Sequence, residues 1–139
     1  MILIISDYHH REEKVLALIE KYKPERIFNL GDSCSEQYFL EQNNILSVKG
    51  NCDYIDLPLV LNVKVGNMQI LMTHGHLYGV RYDLQRLYYL ALENKANYVF
   101  FGHTHEQLLL TKDGITFLNP GSLVNDNYAI LDNGEITLY

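Results

Sequence analysis

The chain has 139 residues, 47% of them hydrophobic, the size of one domain that can bury a core but has little left over for a large cap. Its 11 Lys and Arg against 17 Asp and Glu give a formal charge of −6, which excludes a broad cationic face for nucleic acid, because phosphate backbones are held by clustered Lys and Arg. No apolar run approaches the roughly 20 residues that span a bilayer, and residues 1–5 lack the basic head and longer apolar stretch of a signal peptide.

Residues 2–6 form a continuous apolar run, the pattern of a strand buried on both faces. Residues 12–22 follow with Val15, Leu16, Leu18, Ile19 and Tyr22 at helical spacing, and Pro24 stops them. Residues 26–30 read as a second strand, 36–42 as a short polar helix and 45–49 as a third strand. This order predicts parallel pairing with right-handed crossovers. Residues 60–65 and 68–73 flank Gly66-Asn67, a hairpin turn. A helix is expected over 82–94 and a strand over 98–101. Two further antiparallel pairs follow, 107–111 with 115–118 and 128–131 with 135–138. The expected architecture is α/β, with two mixed sheets packed as a sandwich, helices outside, and residues 1–139 as a single domain. Cys34 and Cys52, two and widely spaced, suit reduced thiols in a cytoplasm better than a disulfide framework.

All six histidines fall in three tight pairs, His9-His10, His74-Gly-His76 and His103-Thr-His105, each directly after a predicted strand. Five segments share that strand-end location: Ser6-Asp7-Tyr8-His9, Gly31-Asp32, Gly50-Asn51-Cys52-Asp53, Thr73-His74-Gly75-His76 and Gly102-His103-Thr104-His105. Ligands of open α/β sheets lie beyond the carboxyl ends of the strands, where sequence-distant loops converge. Imidazole nitrogens with carboxylate and amide oxygens make a mixed donor set suited to first-row transition ions rather than Ca²⁺ or Mg²⁺. Taken singly, a Gly-Asp or Gly-Asn is usually a turn and an Asp-x-His a hydrogen-bonded pair. Five of them at five strand ends outweigh that explanation.

In this order the segments resemble the calcineurin-like metallophosphoesterases, and among them the small YfcE-type phosphodiesterases: Asp-x-His, Gly-Asp, Gly-Asn-x-Asp, a strand-end His, and Gly-His-x-His. The match runs from Ser6 to Ser122, and Asn119-Pro-Gly-Ser122 is similar to the loop beside the family's site. The resemblance implies a sandwich flanked by helices. It also implies two divalent transition-metal ions, Mn²⁺ foremost, with Ni²⁺, Zn²⁺ or Fe as alternatives. Asp7, His9 and His105 would hold one ion, Asn51, His74 and His103 the other, and Asp32 would bridge. The implied reaction is hydrolysis of a small phosphate ester, foremost a diester, by metal-bound hydroxide attacking phosphorus. Two ions roughly 3.5–4 Å apart would activate water and neutralise phosphoryl oxygens.

Two departures from the family pattern stand out. His10 occupies a place usually held by Gly, as a contact to phosphate or a solvated side chain. Cys52, as in YfcE-type relatives, stands where many members carry the histidine that protonates the leaving group. A thiol near dications is a poor replacement. His76, free of metal duty in this scheme, either donates that proton or positions phosphate. Asp53 is expected to orient its neighbours or simply close a turn. The alternative function is a non-catalytic metal-binding scaffold for protein partners, like the retromer subunit of similar fold, which lacks several site histidines. Here all seven ligand positions are present. A nuclease is disfavoured by the acidic balance. A homo-oligomer remains compatible with the sequence.

Overall fold

The computed structural model describes residues 1–139. Its elements are β1 (Ile2–Ile5), α1 (Glu12–Tyr22), β2 (Arg26–Asn29), α2 (Gln37–Gln42), β3 (Ile45–Ser47), β4 (Val60–Val65), β5 (Met68–Thr73), α3 (Gln85–Glu93), β6 (Tyr98–Phe100), β7 (Leu108–Lys112), β8 (Ile115–Asn119), β9 (Ala129–Asp132) and β10 (Glu135–Leu138). They form two five-stranded sheets, ordered β10-β9-β1-β2-β3 and β4-β5-β6-β8-β7. No helix is long and apolar enough to cross a membrane.

Alternation along the strands builds four layers. From β1, Ile2 and Ile4 point between the sheets, where they meet Phe28, Leu30, Met72, Phe100 and Leu118. Leu3 and Ile5 point outward and pack with Val15 of α1 and Phe39 and Leu40 of α2. On the far side Leu71, Val99 and Phe117 pack with Leu87 and Ala91 of α3. This two-sided burial is why β1 carries no polar residue.

β1 pairs in parallel with β2, and β2 with β3, as the helix-linked order requires. The final hairpin returns to this first sheet, β9 lying antiparallel to β1. In the β7–β8 and β9–β10 turns, Asp113-Gly114 and Asn133-Gly134 all have positive φ (52°, 79°, 50° and 78°), the twist that joins antiparallel strands tightly. Helix α1 ends where Lys23 adopts φ 47° and returns its N–H to Ile19 O, just before Pro24.

The structure corrects the expected start of α3, which begins at Gln85 rather than Tyr82. Residues 79–83 form a turn first, with the Tyr82 N–H donating to Gly79 O at 3.0 Å and the Gln85 N–H to the Asp83 carboxylate at 3.1 Å. β7 likewise starts one residue late, at Leu108, because its partner strand β8 ends at Asn119 opposite it and Pro120 follows.

Candidate metal centre

The five motif segments converge at one end of the seam between the two sheets. Those after β1, β2 and β3 come from the first sheet, and those after β5 and β6 from the second. The parallel ladder runs on past the strands: Asp7 N–H donates to Gly31 O, His9 N–H to Asp32 O and His10 N–H to Ser33 O, at 2.9, 3.1 and 2.9 Å. Bending the chain back over the strand ends places Asp7, His9, Asp32, His103 and His105 at positive φ, between 39° and 69°. Non-glycine residues pay strain for that conformation, and strain of this kind concentrates where side chains must be aimed.

Two glycines permit the close approach. A Cβ on Gly50 would run into the Asp32 carboxylate and backbone, and one on Gly102 into the Ser6 hydroxyl and the Asp7 carboxylate. Asn119 donates to Gly102 O at 2.9 Å and the Ser122 hydroxyl to Asp7 O at 2.8 Å, so the loop after β8 fastens both sides of the site.

Asp7 is fully buried. Its Oδ2 accepts from the Ser6 hydroxyl and, at 3.1 Å, from the His103 N–H. Its Oδ1 has no hydrogen-bond partner, yet three imidazole Nε2 atoms surround it: His105 at 3.2 Å and His9 and His74 at 3.8 Å. An orphaned buried carboxylate oxygen is costly in a native fold unless something unseen partners it. Asp32 Oδ1 accepts from the Cys52 N–H at 2.8 Å, while Oδ2 lies 3.3 Å from His74 Nε2 and 4.0 Å from His9 Nε2. Burial alone would raise the Asp32 carboxyl, but the His74 imidazole and the Cys52 N–H hold it well below the usual carboxylate range.

His74 Nδ1 lies 2.6 Å from Leu30 O, which fixes the proton there and turns Nε2 into the cleft. Burial opposes its protonation, but Asp32 and Asp7 win and raise its pKa. His103 Nδ1 faces His74 Nε2 at 3.3 Å, and burial, His74 and Arg81 lower its pKa. Three side-chain groups bring donor atoms within 4.8 Å of one another: Asp7, His9 and His105; Asp32, His74 and His103; and, between them, His9, Asp32 and Cys52. A mixed N/O set around an orphaned carboxylate fits a divalent transition ion.

The remaining predicted residues take distinct places. Asn51 is exposed at the mouth, its amide nitrogen 3.6 Å from Cys52 Sγ. His76 stands beside the centre, ring centroids 5.4 Å from His74, with a buried Nδ1 lacking a partner. Burial and then His74 lower its pKa. Asp53 spends both oxygens on the loops: Oδ2 accepts from the N–H groups of Asp32 (3.0 Å) and Gly50 (2.6 Å), and Oδ1 from those of Ser33 (3.1 Å) and Cys34 (2.9 Å). It closes its own turn through Gly50 and ties that loop to the Asp32 loop. His10 is exposed. Cys34 and Cys52 are free, the Cys34 Sγ–H donating to Cys52 O at 3.4 Å; burial and Asp53 push the Cys34 thiol up to about 11. Sequence patterns miss two participants. Tyr8, buried beneath the loop, exchanges a 2.8 Å hydrogen bond with Ser35. Arg81 donates through Nε to His103 Nε2 at 3.2 Å, and its only sequence signal is a cation shortly after His76.

Comparison with known proteins agrees with this fold. The profile of the calcineurin-like phosphoesterase superfamily domain matches residues 1–133. The chain is similar to a probable metallophosphoesterase, YsnB, of Bacillus subtilis, 35% identical over 94% of this chain and 82% of that one. It is also similar to vacuolar protein sorting-associated protein 29 of Schizosaccharomyces pombe, 30% identical over 97% of this chain and 79% of that one. Among solved structures, a conserved Streptococcus pneumoniae protein described as a predicted phosphoesterase superposes with TM-score 0.83, at 28% identity over 99% of this chain and 95% of that one. YfcE, a phosphoesterase from E. coli, shares the fold with TM-score 0.74, at 22% identity over 98% of this chain and 90% of that one. The layered sandwich, its five strand-end motifs and a profile match running through them have one common explanation: the chain belongs to the calcineurin-like phosphoesterase superfamily.

Proposed function

We propose that this chain is a dinuclear metal-dependent phosphodiesterase of the cytoplasm, working as a single domain on a small phosphate ester. The observation that carries the reading is the pair of donor groups, Asp7-His9-His105 and Asp32-His74-His103, meeting at the Asp7 and Asp32 carboxylates. In this reading Asp7, His9 and His105 hold one ion, Asn51, His74 and His103 the other, and Asp32, whose Oδ2 faces both His9 and His74, is shared. Such ions, Mn²⁺ foremost, supply Lewis-acid charge that activates water and neutralises phosphoryl oxygens. The protein's own residues do the rest. Asp53 sets the distance between the Asp32 and Asn51 loops, and the His74–Leu30 hydrogen bond aims the His74 ring. An open depression of about 560 Å³, bordered by Lys49, Asn51, Asp56 and His76, adjoins the centre.

Reconstitution with Mn²⁺ should give about two ions per chain, dropping with Asp32→Ala, because a shared carboxylate is needed to keep both. Hydrolysis of an aryl phosphodiester should vanish with chelator and return with Mn²⁺ or Ni²⁺. One ion per chain, unchanged in Asp32→Ala, would overturn the shared site. The second reading, a metal-binding scaffold for protein partners, is favoured by the likeness to a vacuolar sorting protein. It wins if the fully loaded protein hydrolyses neither monoesters nor diesters.

Cys52 in place of an imidazole leaves the departing oxygen without a strong proton donor, so nitrophenolate should be expelled far more readily than an alkoxide. The plot of log rate against leaving-group pKa should therefore be steep. His76→Ala, with metal content matched, separates its two roles: a steeper line makes His76 the residual donor, and a parallel line makes it a phosphate-positioning group. A flat line for the unaltered enzyme would mean that an effective acid is present after all.

A further inference from the structure

The turn between β5 and α3 carries a cation that the proposed ligand set does not use. Val80 is buried against the α3 side of the second sheet, and the Tyr82 N–H closes the turn on Gly79 O, so the backbone is fixed and the Arg81 side chain reaches the outer edge of the His103 ring, beside the centre. Its Nε–H donates to His103 Nε2 at 3.2 Å. No carboxylate pairs with this guanidinium or with that of Arg86, whereas Arg11 lies 3.7 Å from Glu13 and Arg26 lies 4.9 Å from the Phe28 ring centroid; of the two unpaired arginines, Arg81 is the one that touches a proposed ligand. Its forked terminal N–H groups, the part that matches phosphate geometry, are left without a protein acceptor.

The bond to His103 also constrains that ring. Arginine only donates, so His103 Nε2 must offer its lone pair, and the one proton of the neutral imidazole sits on Nδ1. Nδ1 is the atom facing the centre, 3.3 Å from His74 Nε2. For Asp32, His74 and His103 to hold a cation together, Nδ1 must offer its lone pair instead, and the proton then resides on Nε2. The ring stays neutral and only its tautomer changes, but Arg81 no longer finds an acceptor there. The contact to Arg81 and the use of Nδ1 as a ligand exclude each other.

We propose, resting on the phosphoesterase reading above, that Arg81 is the substrate-binding residue that grips the phosphoryl oxygens, and that loading the His74–His103 position frees it to do so. The contact to His103 is thus the resting place of a phosphate clamp.

The test compares wild type, Arg81→Lys and Arg81→Met, each saturated with Mn²⁺ and with metal content confirmed, using inorganic phosphate as the probe in calorimetry and in competition against an aryl phosphodiester. Arg81→Met should bind phosphate about 10- to 100-fold more weakly, the worth of a charge-assisted hydrogen bond. It should raise KM more than it lowers kcat and bind Mn²⁺ no more weakly than wild type. Arg81→Lys should recover part of the phosphate affinity, because a point charge replaces the fork. If Arg81 only steadies His103, Arg81→Met instead loses Mn²⁺ affinity by about tenfold or more while the loaded protein binds phosphate as before, and that result overturns the clamp. Phosphate affinity unchanged within twofold overturns it as well, and so does a loaded wild type that binds no phosphate. A loaded wild type that binds phosphate through Arg81 but turns over no ester removes the phosphoesterase reading and leaves the clamp standing.

Discussion

Replacing His74 or His103 with alanine is expected to lower aryl phosphodiester turnover by a factor on the order of 10² or more. Loss of a residue that merely orients a metal ligand costs about 10- to 100-fold, so loss of a ligand belongs at or beyond the upper end of that range. The two variants differ in their collateral effects. His74 is fully buried and held by Leu30 O, so its removal leaves a cavity and a carbonyl without its donor, and the melting temperature should fall too. His103 is only half-buried, so His103→Ala should retain the fold while losing one ion and most activity. Steady-state rates, metal analysis and thermal unfolding on the same preparations check this. A His103→Ala protein with two ions and near wild-type turnover would remove His103 from the ligand set.

Asp53→Ala is expected to produce the largest stability loss of any single carboxylate change. Four backbone N–H groups and the Ser33 hydroxyl depend on this side chain. Each buried donor left unpaired costs about 1–3 kcal/mol, and even with partial relaxation the total should reach about 3 kcal/mol or more. For a chain of this size that corresponds to a fall of roughly 10 °C in melting temperature. Thermal unfolding in chelator isolates this effect from lost metal. Asp53→Asn, which keeps one good acceptor, should fall between wild type and Asp53→Ala. A metal-free Asp53→Ala protein melting within about 2 °C of wild type would show that solvent replaces the clamp at little cost.

The parts of the fold that were legible in the sequence were governed by short-range chemistry. Helix α1 and strands β4, β5 and β10 fall where periodicity, Gly66-Asn67 and Asn133-Gly134 placed them. What periodicity could not assign was partnership. That β9 returns to the first sheet against β1, while β8 joins the second between β6 and β7, depends on long-range packing that no local window contains. The gathering of the donors was legible because each motif directly follows a strand, and the strand ends are where parallel topology brings distant residues together. Asp53 was ambiguous because a turn carboxylate and a loop clamp look alike until the donors come from a second loop. Arg81 was illegible. A lone cation in a turn is ordinary in sequence, and only the folded position of His103 gives it meaning.

The proposed ligands are divided between the halves of the sandwich: Asp7, His9, Asp32 and Asn51 from the first sheet, His74, His103 and His105 from the second. Away from this end Ile4, Leu30, Met72 and Phe100 close the seam with apolar contacts. At this end the facing groups are carboxylates and imidazoles, joined by bonds such as His103 N–H to Asp7 Oδ2 but leaving the buried Asp7 Oδ1 without a partner. An ion there would act as a rivet between the sheets, and occupancy at a thousand times its dissociation constant would add about 4 kcal/mol to the folded state. That is a sizeable share of the stability of an ordinary domain. Selection could therefore preserve every one of these donors for cohesion alone, in a lineage whose catalysis has lapsed.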